Sequence, residues 1–506
     1  MITKRTVIFS IGFFAACAIG ISQTVIIYPI DITISDFPDT VWLQIPQNYD
    51  STVATPLLFG CHGLGGNQTQ MAMMTRFEEQ ANTRGWLSAS MRGPNVQHWY
   101  NPIAQTHMVE VLNWIAERYN VDRRRVYMVG GSMGGAAGMV FHNNHLDPND
   151  WMVAATASGS GIMDCHRRYL EQGVNHSMIQ NFGGMPDSVP FQYHRNSAVY
   201  FADLTQSMHY NLRHLPMYYT FGYLESPWLN HAVDLYNLIQ PIADEIYLVM
   251  ASWIGHGWDS MDEEDICDWL QNFTLNDNPD DISINTDENG RCYWVEVQQW
   301  DTTEAFTRFD ATYNAHANAF TFHGFWNLRA ALFDFGMMGI NPNDVVQIFW
   351  TVDDTIETLI LPNYLQIPDG VLKNAIPTPD WTYNAELGQV SITSDTGFAV
   401  WEIYPPPQLV PLEGGDLVHL TPAVLTTYPN PFNPILRLTY QVPTAGEVEL
   451  RLFDILGREA ATLAKGYHSV GIYRTAFDGR TYASGVYFAR LESPAGVQTV
   501  KVILMK

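Results

Sequence analysis

The sequence predicts an α/β domain built on a mostly parallel sheet covered on both faces, then a β-rich unit and a small C-terminal β-sandwich of immunoglobulin-like type. Three observations carry this. From Val41 to about Thr274, short apolar runs alternate with amphipathic segments, as in strand–helix–strand units. After Asn276-Asp277-Asn278-Pro279 the runs become aromatic and β-branched, with turn clusters between them. From Tyr428 onward, alternating strands separated by Gly and Asp-Gly turns fill roughly 75–80 residues, the size of a small sandwich. A chain of 506 residues exceeds a single ordinary core, so several domains are expected.

Six runs are candidate strands of the first domain: Leu57 to Gly60, Trp86 to Ala89, Val126 to Val129, Val153 to Ala157, Met217 to Phe221 and Glu245 to Met250. Between the second and third, Met108, Leu112, Ile115 and Tyr119 recur at helical spacing and place one apolar stripe on a helix. Helical periodicity returns near Ala232 to Leu238 and Ile266 to Phe273. The latter is preceded by Asp262-Glu263-Glu264-Asp265, acids that a helix amino terminus favours. In the β-rich unit the runs Tyr293 to Val297, Ala319 to Phe322 and Val345 to Val352 read as strands.

Composition narrows the functional classes. The chain is 46% hydrophobic and 15% charged, with 15 Trp, 25 Tyr and 25 Phe to bury, which argues for globular domains rather than disorder or a membrane bundle. A net charge of -26 repels polyphosphates, so nucleic acid is not an expected partner. Lys4 and Arg5, then an apolar run from Val7 to Ile21, have the layout of a secretory signal over residues 1–22. Phe14-Ala15-Ala16-Cys17 offers a competing lipobox-like site, in which Cys17 would carry lipid. No later segment has the length and hydropathy of a membrane span. Of the remaining cysteines, Cys61, Cys165, Cys267 and Cys292, the last two could clip together across a domain boundary; none has zinc-site spacing.

The chemistry-bearing motif is Gly130-Gly131-Ser132-Met133-Gly134, set between the apolar run ending at Val129 and the small residues Gly135-Ala136-Ala137-Gly138. Strand, tight turn and helix in that order make a nucleophile elbow, which exposes the serine hydroxyl at the carboxyl edge of a sheet. A serine needs a base, an acid to hold that base, and donors for the oxyanion its attack creates. His256, flanked by Gly255 and Gly257, is the candidate base. Glu225, in Gly222-Tyr223-Leu224-Glu225, is the candidate acid, with Asp234 and Asp259 as alternatives. The backbone N–H groups of Met133, after the nucleophile, and Leu64, in His62-Gly63-Leu64-Gly65-Gly66, are the candidate oxyanion hole. His62 is expected to support that turn through hydrogen bonds, and Arg92 to hold the neighbouring loop.

Two resemblances follow from these motifs. Val121 to Gly135, read as VDRRRVYMVGGSMGG, resembles the elbow of extracellular esterases related to polyhydroxybutyrate depolymerase and feruloyl esterase, and that of the prolyl oligopeptidase catalytic domain. The likeness implies an α/β-hydrolase fold over residues 23–275 and an acyl-enzyme mechanism without metal or other cofactor. Phe221 stands where a histidine often precedes the glycine, and Glu225 where aspartate is usual. Tyr428-Pro429-Asn430-Pro431-Phe432-Asn433-Pro434, Phe453-Asp454 with Gly457-Arg458, and Ser484-Gly485-Val486-Tyr487-Phe488 resemble the sorting domain of type IX secretion substrates. That likeness implies a Gram-negative bacterium, export via the periplasm, residues 428–506 as ligand of the secretion machinery, and release or attachment at the cell surface.

The expected organisation is therefore a signal (1–22), a hydrolase domain (23–275), a β-rich accessory domain (276–407), a linker (408–427) and a sorting domain (428–506). The leading functional expectation is a secreted serine esterase acting on carboxylic esters, including acyl groups on polysaccharide. A serine peptidase is the runner-up. It ranks below because prolyl oligopeptidases carry a propeller, and only about 20 residues separate the signal from the first hydrolase strand. A third expectation is a retired hydrolase whose accessory domain holds carbohydrate through Trp294, Trp326, Trp350 and Trp401. The stretch between Cys165 and Leu215 is where a lid is expected.

Overall fold

The computed structural model describes residues 24–31, 38–174, 176–223, 228–251, 255–405 and 424–506. The expected signal segment with Cys17, residues 408–423 of the expected linker, and Glu225 lie outside the described residues. The chain forms two compact units, one ending at Asn276 and one beginning at Asp277.

The first unit is built on eight strands: β1 (Thr24–Asp31), β2 (Pro38–Ile45), β3 (Thr55–Cys61), β4 (Leu87–Met91), β5 (Val121–Gly131), β6 (Ala155–Gly159), β7 (Met217–Gly222) and β8 (Ile246–Ala251). They lie in the order β1-β2-β4-β3-β5-β6-β7-β8. Strands β3 to β8 are mutually parallel, and the β1–β2 hairpin joins β4 antiparallel. This is the α/β-hydrolase fold. Every residue of β4, β6 and β7 is buried, because helices cover both faces. That burial is why these strands read as continuous apolar runs. Strands β1 and β2 have no counterpart among the six candidate strands.

The helix between β4 and β5, Pro102–Ala116, shows how local chemistry sets an element. Asn101 caps it by accepting from the Ala104 N–H at 3.0 Å, and Pro102 occupies the first helical position, where no N–H is needed. Met108, Val111, Leu112 and Ile115 are fully buried, each worth about 1.5–3 kcal/mol of burial. Tyr119, expected on the same stripe, lies beyond the helix end.

Chain order reverses around β3: the connection out of β3 leads to β4 on one side, whereas β5 and its successors run to the other. Such a switch point leaves a crevice beyond the carboxyl ends of the strands. β3 and β5 are paired with Cys61 opposite Gly130, so the turn after β3 and the elbow after β5 leave the sheet at one level. Between Cys165 and Leu215 the chain forms short helices, and Met178, Phe182, Tyr193, Val199 and Leu212 of this stretch join the main core. It is packed against the main core, with Leu170, Val174 and Met185 left exposed.

The second unit opens with facing sheets of six and seven strands. Phe322 of the larger meets Phe333 of the smaller at 5.4 Å between ring centroids. Trp294, Trp350 and Trp401 are 0%, 1% and 0% exposed. These three are core residues and do not form the expected carbohydrate platform, while Trp326 is half-buried. The run Tyr293 to Val297 is also not one strand. Gly290–Cys292 and Val295–Gln299 pair with Cys292 opposite Val295, and Tyr293 turns the hairpin at φ +54°. The Trp294 indole donates to the Pro279 carbonyl at 2.7 Å.

From Val424 the chain builds a sandwich of three and four strands around Leu436, Leu438, Val448, Leu450, Leu452, Ala489, Leu491 and Val502. Its first strand, Val424–Tyr428, starts inside the segment expected to be linker. The turn after Phe453 is tied by Asp454, whose carboxylate accepts from the Leu456 and Arg458 N–H groups at 2.8 and 3.0 Å. Cys61, Cys165, Cys267 and Cys292 are all buried.

Candidate active site

Ser132 follows β5 at φ +57°, in the left-handed region that a side-chain-bearing residue adopts only when its surroundings force it. The forcing groups are the elbow glycines. A Cβ on Gly130 would lie 2.1 Å from the Gly134 carbonyl oxygen, and one on Gly134 would lie 2.0 Å from the Cys61 carbonyl oxygen. Only glycine at both positions lets the turn fold back tightly enough to lift Ser132 clear of the sheet. The serine is half-buried, while Met133 to Ala136 behind it are buried in a short 3-10 helix.

His256 reaches the same point from the loop after β8, with its Nε2 2.6 Å from the Ser132 Oγ. Close backbone approach again depends on absent side chains. A Cβ on Gly131 would meet the Trp258 nitrogen at 2.8 Å, and one on Gly159 the Gly257 carbonyl at 2.6 Å. Gly257 itself sits at φ +75°. β7 and β8 are paired in parallel with Gly222 opposite Ala251, so the two strands end at one edge of the sheet. Glu225 is outside the described residues. Of the alternative acids, Asp234 is engaged by the Arg167 guanidinium at 2.7 Å, and Asp259 is exposed two residues beyond Gly257.

The candidate oxyanion donors sit on the two turns that the β3–β5 register aligns. The Met133 N–H lies in the first turn of a helix, where no intrahelical acceptor exists. Leu64 lies in the turn closed by the Gly66 N–H donating to the Gly63 carbonyl at 2.9 Å and the Gly65 N–H donating to Val96 at 2.8 Å. A Cβ on Gly63 would be 3.2 Å from the Gly131 carbonyl and 3.6 Å from the Ser132 Cβ, so the turn lies directly against the elbow.

A buried polar network braces that turn from behind. His62 Nδ1 is 2.9 Å from the Gly63 carbonyl, and its Nε2 is 3.0 Å from the Arg92 carbonyl and 3.1 Å from His98 Nε2. His62 therefore supports the turn, while Arg92 contributes its backbone and leaves its side chain exposed. The fully buried Asp39 accepts from the Gly93 N–H at 3.0 Å and lies 2.9 Å from His107 Nδ1. Burial pushes His62 below the ordinary histidine range against its bonds to the two carbonyls, and holds His98 further down still. Sequence reasoning missed His98, His107, Asp39 and Gln70, which belong to no motif and reach the site only through the fold. Among the described residues no three His, Cys, Asp or Glu side chains converge as a metal-ligand set.

Taken together, the fold and the Ser132–His256 pair define an α/β-hydrolase carrying a hydroxyl in contact with an imidazole. Residues 426–505 match the secretion system C-terminal sorting domain, so the chain carries that domain at its carboxyl end. Among solved structures, the chain is similar to FphF, a fluorophosphonate-binding serine hydrolase of Staphylococcus aureus. The identity is 14% over 49% of this chain and 98% of that one, with a TM-score of 0.39. It is also similar to a ferulic acid esterase (16% identity, 49% of this chain, 96% of that one, TM-score 0.38). A third is a truncated carbohydrate esterase from gut microbiota (13% identity, 49% and 95%, TM-score 0.38). No curated protein sequence matches the chain.

Proposed function

We propose that this chain is a secreted serine hydrolase that cleaves carboxylic esters through an acyl-enzyme intermediate. The observation that carries the proposal is the 2.6 Å approach of His256 Nε2 to a Ser132 hydroxyl held at φ +57°. In this reading His256 takes the Ser132 proton as Oγ attacks the ester carbonyl carbon. The resulting oxyanion is received by the backbone N–H groups of Leu64 and Met133. Collapse of the tetrahedral species breaks the carbon–oxygen bond, and His256 returns the proton to the departing alcohol. Water then repeats the sequence on the acyl-serine, releasing the acid. Glu225 is the residue proposed to hold the imidazole tautomer. Ser132 is half-buried and His256 exposed, an accessible arrangement that suits acyl groups displayed on a polymer such as polysaccharide. Residues 1–22 and the sorting domain are proposed to carry the enzyme across both membranes to the cell surface or medium.

The test is turnover of p-nitrophenyl acyl esters against chromogenic dipeptides, with fluorophosphonate labelling alongside. The expected result is ester turnover and labelling, both lost in Ser132→Ala with a rate drop of about 10⁴-fold or more. Peptide turnover without ester turnover would reassign the substrate class. An unlabelled wild-type protein would remove the serine hydrolase reading.

A further inference from the structure

One side chain outside every motif touches both halves of the site. Gln70 stands at the start of the helix Gln70–Met74, seven residues beyond Gly63. Its Oε1 accepts from the Gly63 N–H at 2.6 Å and from the Trp258 indole N–H at 3.1 Å. Gly63 is the residue before Leu64, the candidate oxyanion donor, and Trp258 is two residues after His256. A single carboxamide oxygen thus uses both its lone pairs to tie the turn after β3 to the loop after β8.

The surroundings hold that oxygen in place. A Cβ on Gly66 would fall 2.7–2.8 Å from the Gln70 carboxamide atoms, so the turn closes over the amide only because residue 66 is glycine. The Trp258 ring is 4% exposed and packs edge-on to Phe77 at 6.1 Å between centroids, which fixes the indole N–H direction. The two loops come from strands four places apart in the sheet order, and neither turn by itself sets their separation.

We propose that Gln70 is a positioning residue that sets the distance between the oxyanion turn and the His256 loop, and so aligns donor and base on one reacting carbon. The proposal rests on the serine hydrolase reading. Gln70 touches no reacting atom. It acts through Gly63 and Trp258, and its loss is expected to lower turnover while leaving ground-state binding nearly intact. A carboxylate at this position could accept the same two bonds, which makes Gln70→Glu the conservative variant.

The experiment measures ester kinetics and the fluorophosphonate labelling rate for wild type, Gln70→Leu, Gln70→Glu, Trp258→Phe and Gln70→Leu/Trp258→Phe, each well below its own melting temperature. The expected result for Gln70→Leu is a fall in kcat of about 10–100-fold with KM within about threefold, as misplacement on the order of an ångström produces. Trp258→Phe should cost less, and the double variant should be no worse than Gln70→Leu, because both single changes remove the same link. Gln70→Glu should recover kcat to within about tenfold of wild type. Three results overturn the positioning role while leaving the serine hydrolase reading intact: unchanged kcat and labelling rate in Gln70→Leu, losses that multiply in the double variant, or no recovery in Gln70→Glu. Failure of wild type to label or turn over ester overturns both.

Discussion

The elbow around Ser132 and the pocket around Glu357 use glycine to opposite ends. At Ser132, glycines 130, 131, 134 and 159 let backbones approach so closely that the polar side chain is pushed outward toward an exposed imidazole. In the second unit, Gly324 makes room for a carboxyl to be buried. A Cβ there would lie 1.9 Å from the Glu357 Oε1, and the Trp350 indole donates to Oε2 at 3.2 Å. Glu357 is 2% exposed, and burial raises its pKa to about 8. By perturbed acidity alone Glu357 would be the more conspicuous site. The contrast teaches that an unusual pKa marks a functional group only when a substrate can reach it. Glu357 is locked between two sheets.

The largest effect expected from this comparison is at the elbow. Gly134→Ala would set a methyl carbon 2.0 Å from the Cys61 carbonyl and should cost about 4 kcal/mol or more. Calorimetry should show the first unit's transition lowered or lost, with fluorophosphonate labelling gone. An unchanged transition would mean that the elbow is looser than the contacts imply. Next comes Trp350→Ala, which should cost about 3–5 kcal/mol as a large core truncation and lower the second unit's transition while ester turnover stays at the wild-type level. Loss of carbohydrate binding without loss of stability would instead revive the platform reading.

The smallest effect is a pH dependence. Glu357 has a folded pKa raised to about 8 from an ordinary value of 4.5, so its contribution to stability is whole below pH 4.5. As pH rises between these values, the unfolded chain sheds a proton that the folded chain keeps, and stability falls until the folded pKa is passed. Glu357→Gln keeps the oxygen that accepts from Trp350 and has no proton to lose. Melting curves should therefore show the variant gaining on wild type by about 3 kcal/mol between pH 5 and pH 8. A gap constant with pH would show that Glu357 is ionised in the fold.

How far the chain could be read in advance follows from where each signal resides. The elbow was legible because its glycines carry the geometry in the sequence itself, and strands β3 to β7 because burial on both faces leaves continuous apolar runs, while β8 showed as an aromatic and branched run despite its exposed Tyr247 and Met250. Strand β1 was not, since it lies close after the apolar run from Val7 to Ile21, which masks a strand's pattern. Trp294, Trp350 and Trp401 show another limit, because an indole has one composition whether it fills a core or faces a ligand. Tyr293 broke an aromatic run because a non-glycine residue took the left-handed turn position. Gln70 was beyond reach for a different reason. Its two partners are seven and 188 residues away, and only the parallel sheet brings them together.

The cysteines carry a last consequence. Each of the four is at most 3% exposed, and burial pushes the thiols of Cys61, Cys165 and Cys267 up to about 12. A protonated, enclosed sulfur does not react with alkylating reagents, so modification has to wait for the fold to open around it. Three of these sulfurs sit in the hydrolase unit and one in the unit that follows, so the order in which they are trapped is a built-in record of which part of the molecule gives way first.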